Sequence, residues 1–170
     1  MSARSASLSH VFSCTDALYA SLGRGAPAVQ VDAYVVRLHE MSRRYGALAL
    51  ELRAQLAGEA PAPLAIIDQL MTRAFEADAT GAMALYAVSM VVGPRLLVTV
   101  RDARALDPHD QEFQGLLDRV AATTVAEIHL IAGLKGPPEV VEDPRWHAGA
   151  RALVDLADSS GNAESFVAPR

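Results

Sequence analysis

Residues 82–100 read AMALYAVSMVVGPRLLVTV, apolar on every side, with Arg95 as the single charge. A helix of that composition needs neighbours all the way round, so the rest of the chain has to be arranged about it. The run stands near the threshold for a membrane span, which takes about 20 predominantly apolar residues. Arg95 at the centre of a bilayer would cost about 2.5 to 3.5 kcal/mol, and the Ala, Gly, Ser and Thr residues around it return little. Gly93 and Pro94 also interrupt the run: Gly suits the left-handed position past a helix end, and Pro the first turn of a following helix. The expected arrangement is two buried helices meeting at a corner, with no membrane span.

Composition fits one domain with a substantial core: 170 residues, 51% of them apolar and 21% charged. A net charge of −5 and a pI near 5.5 oppose binding along a nucleic-acid backbone, which takes a surplus of Lys and Arg on one face. Lys135 is the one lysine among 15 basic residues, a bias of the kind a GC-rich genome produces. Cys14 is the only cysteine, which rules out an internal disulfide and a multi-cysteine metal site, and makes a reducing, cytoplasmic setting the expectation. It lies within the helix-start residues Ser13-Cys14-Thr15-Asp16, which lead into Ala17, Leu18 and Leu22, so it reads as a packing residue rather than a reactive thiol. Residues 1–10, MSARSASLSH, lack the apolar core of a secretory signal and read as a disordered arm. The bundle is expected over residues 11–158 and a frayed tail over 159–170.

Breaks between helices are legible at residues 23–27 (GRGAP), 58–63 (GEAPAP) and 133–138 (GLKGPP). Between them no β-type alternation survives. Residues 96–100, LLVTV, are rich in β-branched side chains, but a lone strand would lack a partner, so helix is the preferred reading. The clearest helical period lies over residues 29–57. Val31, Tyr34, Val35, Leu38, Tyr45, Leu48, Ala49, Leu52 and Leu56 share one stripe, while Arg37, Glu40, Arg44, Glu51 and Gln55 gather opposite, on an expected solvent face. Glu40 and Glu51 are residue types that a carboxylate-bridged metal site would use, but the angular count places them among Arg and Gln, and no Glu-x-x-His follows anywhere.

A third helix starts near Pro63 and breaks around residues 78–81, where Thr80 can cap a new start; if it ran on, Asp78 would land on its apolar stripe. Asp107-Pro108 and Asp143-Pro144 are helix-start pairs, the carboxylate capping free N–H groups and Pro occupying the first helical position. They set the expected starts of helices six and seven. Helix six carries Phe113, Leu117, Val120, Thr124, Ile128 and Ile131 as its stripe, and helix seven ends near Asp158.

Chemistry motifs are sparse. The five histidines, at positions 10, 39, 109, 129 and 147, show no i,i+4 pair and no His-Glu-x-x-His. A phosphate-binding glycine loop, a Walker lysine and a Gly-x-Ser-x-Gly elbow are missing too. What stands out is three charges that intrude on apolar surface: Asp78, Arg95 and Glu127. They read either as a buried ion network that fixes how helices dock, or as polar groups recognising an anionic ligand in an apolar pocket near Arg95.

The expected fold is all-α, a single-domain antiparallel bundle of six or seven helices around a fully apolar central helix at residues 82–92. The leading functional expectation is a non-enzymatic interaction or regulatory module, self-associating as a homodimer or binding another protein, with no cofactor. Alternatives are a binder of, or an enzyme acting on, a small apolar or anionic ligand, and a metal-dependent enzyme using His and carboxylates.

Overall fold

The computed structural model describes residues 3–56, 58, 60–132 and 143–159. Within them the chain is all-α and forms an antiparallel helical bundle, with α1 (Ala3–Gly25), α2 (Asp32–Gln55), α3 (Ala65–Ala77), α4 (Ala82–Tyr86), α5 (Gly93–Leu106), α6 (Gln111–Ala132) and α7 (Pro144–Ser159). No described residue lies in a strand, and residues 96–100 are helical as preferred.

The expected corner at Gly93-Pro94 is absent. A π-helical turn, Ala87–Val92, joins α4 to α5, and Gly93 keeps right-handed helical angles (φ −57°, ψ −51°). Proline inside an α-helix removes a donor and drives its ring into the carbonyl four residues back, and a wider turn relieves that clash without ending the helix. Gly93 accordingly donates to Val88 O, five residues back. A Cβ at Gly93 would lie 3.1 Å from the Ile128 side chain, so glycine here serves close packing of α6 rather than a left-handed turn. The joined helix, Ala82–Leu106, spans 25 residues and is long and apolar enough to cross a membrane, but 67% of its most apolar window is buried against the other helices. α1, α3, α6 and α7 all pack on it.

α1 begins at Ala3 rather than after a disordered arm. Ser7, Leu8 and Val11 are buried, and Arg4 ties the first turn to the α5–α6 connection, pairing with Asp110 and lying 3.4 Å from Asp107. The Arg4 guanidinium also sits 4.7 Å from the centroid of the Phe113 ring. These long-range partners supply what the local sequence lacks. α1 packs on α2, α3 and α5, so it is as central as the α4–α5 helix. Its buried Thr15 hydroxyl donates to the Val11 and Phe12 carbonyls at 3.1 and 2.9 Å, so the polar group is satisfied within the helix.

Helix starts follow carboxylates, with one shift. Asp143 accepts from Arg145 N at 2.8 Å and starts α7 at Pro144 as expected. α6 starts at Gln111 instead of Pro108, because Asp110, not Asp107, accepts from Phe113 N at 3.0 Å. That N–H, with Arg4 beside it, holds the Asp110 carboxyl below its ordinary value. The expected break at residues 133–138 and the tail from residue 160 lie outside the described residues, while α7 itself runs helical to Ser159.

Between α3 and α4 the chain breaks at residues 78–81, where Gly81 adopts φ +87°. A Cβ there would stand 2.7 Å from Val29, whose neighbour Gln30 donates to the Ala79 carbonyl at 2.9 Å and holds the two connections together. Replacing Gly81 by Ala combines left-handed strain of about 1 to 2 kcal/mol with this clash, so denaturant unfolding should show a loss of about 2 kcal/mol or more. An unchanged midpoint would mean that the turn has another conformation.

Candidate functional site

The three charges singled out in the sequence are buried or half-buried, but they do not meet. Asp78 is a capping group: Oδ1 accepts from Thr80 N at 2.9 Å, and Oδ2 from the Thr80 hydroxyl at 2.8 Å and from Met83 N at 3.0 Å. It therefore satisfies the free N–H groups at the start of α4, with Thr80 contributing a longer bond to Ala82 N at 3.3 Å. Arg95 pairs with Asp158 of α7, and its Nη1 donates to the Val91 carbonyl at 2.9 Å within the widened helix segment. The Asp158 side chain is 63% exposed, so this pair belongs to the class worth about 1 kcal/mol or less, not to a buried network. The expected Arg95 partnership with Asp78 or Glu127 is thus replaced by one across α5 and α7. The carboxylate that Arg95 meets is supplied by α7, which packs against the widened segment from which Arg95 follows.

Glu127 is the deepest charge, with its side chain 1% exposed. It faces α2, where Arg37 donates to Oε2 and Arg44 donates to Oε1 at 2.6 Å. Glu40 joins from the same helix, 3.3 Å from Arg37 and 3.9 Å from Arg44. Angular counting places Arg37 and Arg44 on a solvent face of α2, but α6 runs antiparallel along that face, as the Arg119–Glu51 pair at 2.6 Å and the Gln55–Glu112 bond at 2.6 Å show further down. Their seven-residue spacing, two helical turns, is the signal that one acceptor between them can serve both. Arg37 Nε remains buried without a partner among the described residues.

Tyr45 lies in the same core. Its hydroxyl makes no hydrogen bond of good geometry, although Thr124 is near enough to act weakly on it. Burial, reinforced by the charge of Glu127 and opposed by Thr124, pushes the phenol from 10.0 to about 12. Burial likewise pushes the Cys14 thiol from 9.0 to about 12, which removes it as a nucleophile.

A groove of about 450 Å³ lies between α1 and α2. Phe12, Asp16 and Tyr19 line it from α1 at i, i+4 and i+7; Arg43, Gly46, Ala47, Leu50 and Arg53 line it from α2. Gly46 has no Cβ because one would lie 2.8 Å from the Tyr19 ring, so the ring leans across α2 and forms one wall. Leu50 is 74% exposed and Tyr19 47%. Sequence reasoning missed this surface; the available signal was Leu50, an apolar residue off the stripe of α2.

Among the described residues no three of His, Cys, Asp and Glu converge on one point. His39, His109, His129 and His147 are exposed, and His147 makes an edge contact with Trp146 at 5.6 Å between centroids. The chain matches no protein-family model, and no curated protein or solved structure is significantly similar to it.

Two outcomes test these assignments. Glu127→Ala strands the Arg37 guanidinium, 13% exposed, and should lower unfolding free energy by about 3 to 5 kcal/mol, with Arg37→Met in the same chain recovering a large part; purely additive losses in urea unfolding would exclude coupling. Because Cys14 and Tyr45 keep their protons in the folded chain at pH values where the unfolded chain loses them, their stabilising balance is intact below about pH 9 and declines from there to about 12. Each group contributes a slope of up to about 1.4 kcal/mol per pH unit, and Cys14→Ala should delay the onset of the decline by about one unit, read by unfolding across alkaline pH.

Proposed function

We propose that the chain is a non-enzymatic helical interaction module that self-associates. The observation that carries this reading is the contrast between committed charges and uncommitted apolar side chains. Glu127, Asp78 and Arg95 are all engaged with groups of the chain itself. Leu50, Val36, Met90 and Leu130, by contrast, are each more than half exposed. Met90 and Val98 lie on the Ala82–Leu106 helix, the most apolar in the chain, and stay open to the surface. Exposed apolar area of this kind is what partner surfaces bury, and a two-fold homodimer is the commonest way to bury it. A reducing compartment such as the cytoplasm suits a chain whose one thiol is buried and unpaired.

A second reading is favoured by one observation. The α1–α2 groove, at about 450 Å³, is in the size range of small-molecule sites and combines an apolar floor with arginines at its rim. A ligand with an apolar body and an anionic end would match it.

Light scattering coupled to size exclusion is expected to report twice the chain mass of 18.0 kDa, rising with concentration. Native mass spectrometry separates the readings: a monomer carrying a small co-purified mass would replace the first by the second.

A further inference from the structure

We infer that the chain pairs with a second copy of itself through the α1–α2 groove, with a two-fold axis parallel to the two helices and Leu50 of each copy entering the groove of the other. This rests on the self-association proposed above and assigns it a surface. Leu50 is the most exposed of the large apolar side chains among the described residues, and it stands on the rim of the groove it would fill. The charges of the groove are what distinguish a second copy from other occupants. Asp16 and Arg43 make no ion pair or hydrogen bond among the described residues, and Arg53 reaches only its own Leu56 carbonyl, at 3.5 Å. The carboxylate stands on the α1 wall and both guanidiniums on the α2 wall. A surface carrying one sign on each wall is complementary to itself when it is turned through a two-fold axis that sets α1 of one copy over α2 of the other.

The register agrees. α1 and α2 are antiparallel and in contact where the Ser42 hydroxyl donates to the Tyr19 carbonyl at 2.9 Å and where Gly46 meets the Tyr19 ring. Asp16, one turn before Tyr19, is therefore level with the next turn of α2, residues 46–50. An axis parallel to the helices preserves height, so Asp16 comes level with those same residues of the second copy, between Arg43 and Arg53. The product is a four-helix arrangement in which every neighbouring pair runs antiparallel, the geometry in which helices of this length pack along their whole contact.

Sedimentation equilibrium from low to high micromolar concentration tests the assignment, with circular dichroism confirming that each variant is folded. Leu50→Glu should raise the dimer dissociation constant by at least about 30-fold, as expected for a central apolar anchor. Asp16→Arg and Arg43→Asp should each weaken the dimer, and the double variant D16R/R43D should regain it, because the exchanged charges again face each other. A wild type that dimerises equally well as Leu50→Glu and as Asp16→Arg would overturn this surface while leaving self-association standing. A wild type that is monomeric throughout would overturn both. Single variants that weaken the dimer without recovery in D16R/R43D would overturn the paired register.

Discussion

A helix of 25 residues that is apolar on most of its circumference leaves the other elements little choice of position. Each face exposed to water costs about 25 cal/mol per Å² of apolar surface, so α1, α3, α6 and α7 gather round it. The proline at its centre could have ended it. Instead the backbone widens by one π turn, and Gly93 lets Ile128 of α6 approach closely at the same level. Continuity of this helix decides the architecture, because a corner at residue 93 would send α5 away from α6 and remove the partner of α2 as well. Tyr86 extends the same packing to α7, meeting Trp146 edge-on at 5.2 Å between centroids.

The α2–α6 contact is held differently. A carboxylate with 1% of its side chain exposed takes both guanidiniums of a two-turn arginine pair, and among the described residues Arg37 Nε and the Tyr45 hydroxyl stay unserved there. Such a cluster adds little net stability over an apolar contact of equal volume, because desolvation offsets most of the attraction. Its value lies in register: sliding α6 by one turn would bring Glu127 level with one of the two arginines and take it out of reach of the other. The cluster therefore acts as a latch between helices, and its charges are spent on the chain itself. The groove between α1 and α2 is the opposite case, with Asp16 and Arg43 uncommitted beside exposed Leu50 and Tyr19. Charges used internally and charges left over thus mark two different kinds of contact between helices.

Much of the fold was legible in the chain. Periodicity located the buried face of α2, a carboxylate cap located the start of α7, Thr80 marked the break before α4, and the absence of alternation excluded strands. Two elements were not. α1 is among the most buried helices, yet its buried positions include Ser7, Ser13, Cys14, Thr15, Ala17 and Ser21, residues too small or polar to mark a core by hydropathy. Small side chains bring helix axes close, and that benefit appears only when a neighbour is present. The solvent face assigned to α2 failed for a related reason: an angular count knows the side on which a residue lies, but not whether another helix lies there.

The sequence by itself determined that the chain is helical, where α3, α4 and α7 begin and that residues 82–100 must be enclosed, because backbone propensity, capping and apolar period act over a few residues and are written there; the first turns of α1, the start of α6 and the continuity through Gly93 depended on packing partners. Only the tertiary structure decided how the charges are paired. Arg95 answers to Asp158, Glu127 to Arg37 and Arg44, and Asp78 to the backbone of its own turn. Each choice depends on which helices lie side by side and at what height, and Coulomb attraction falls off too quickly with distance and solvent for sequence spacing to specify it.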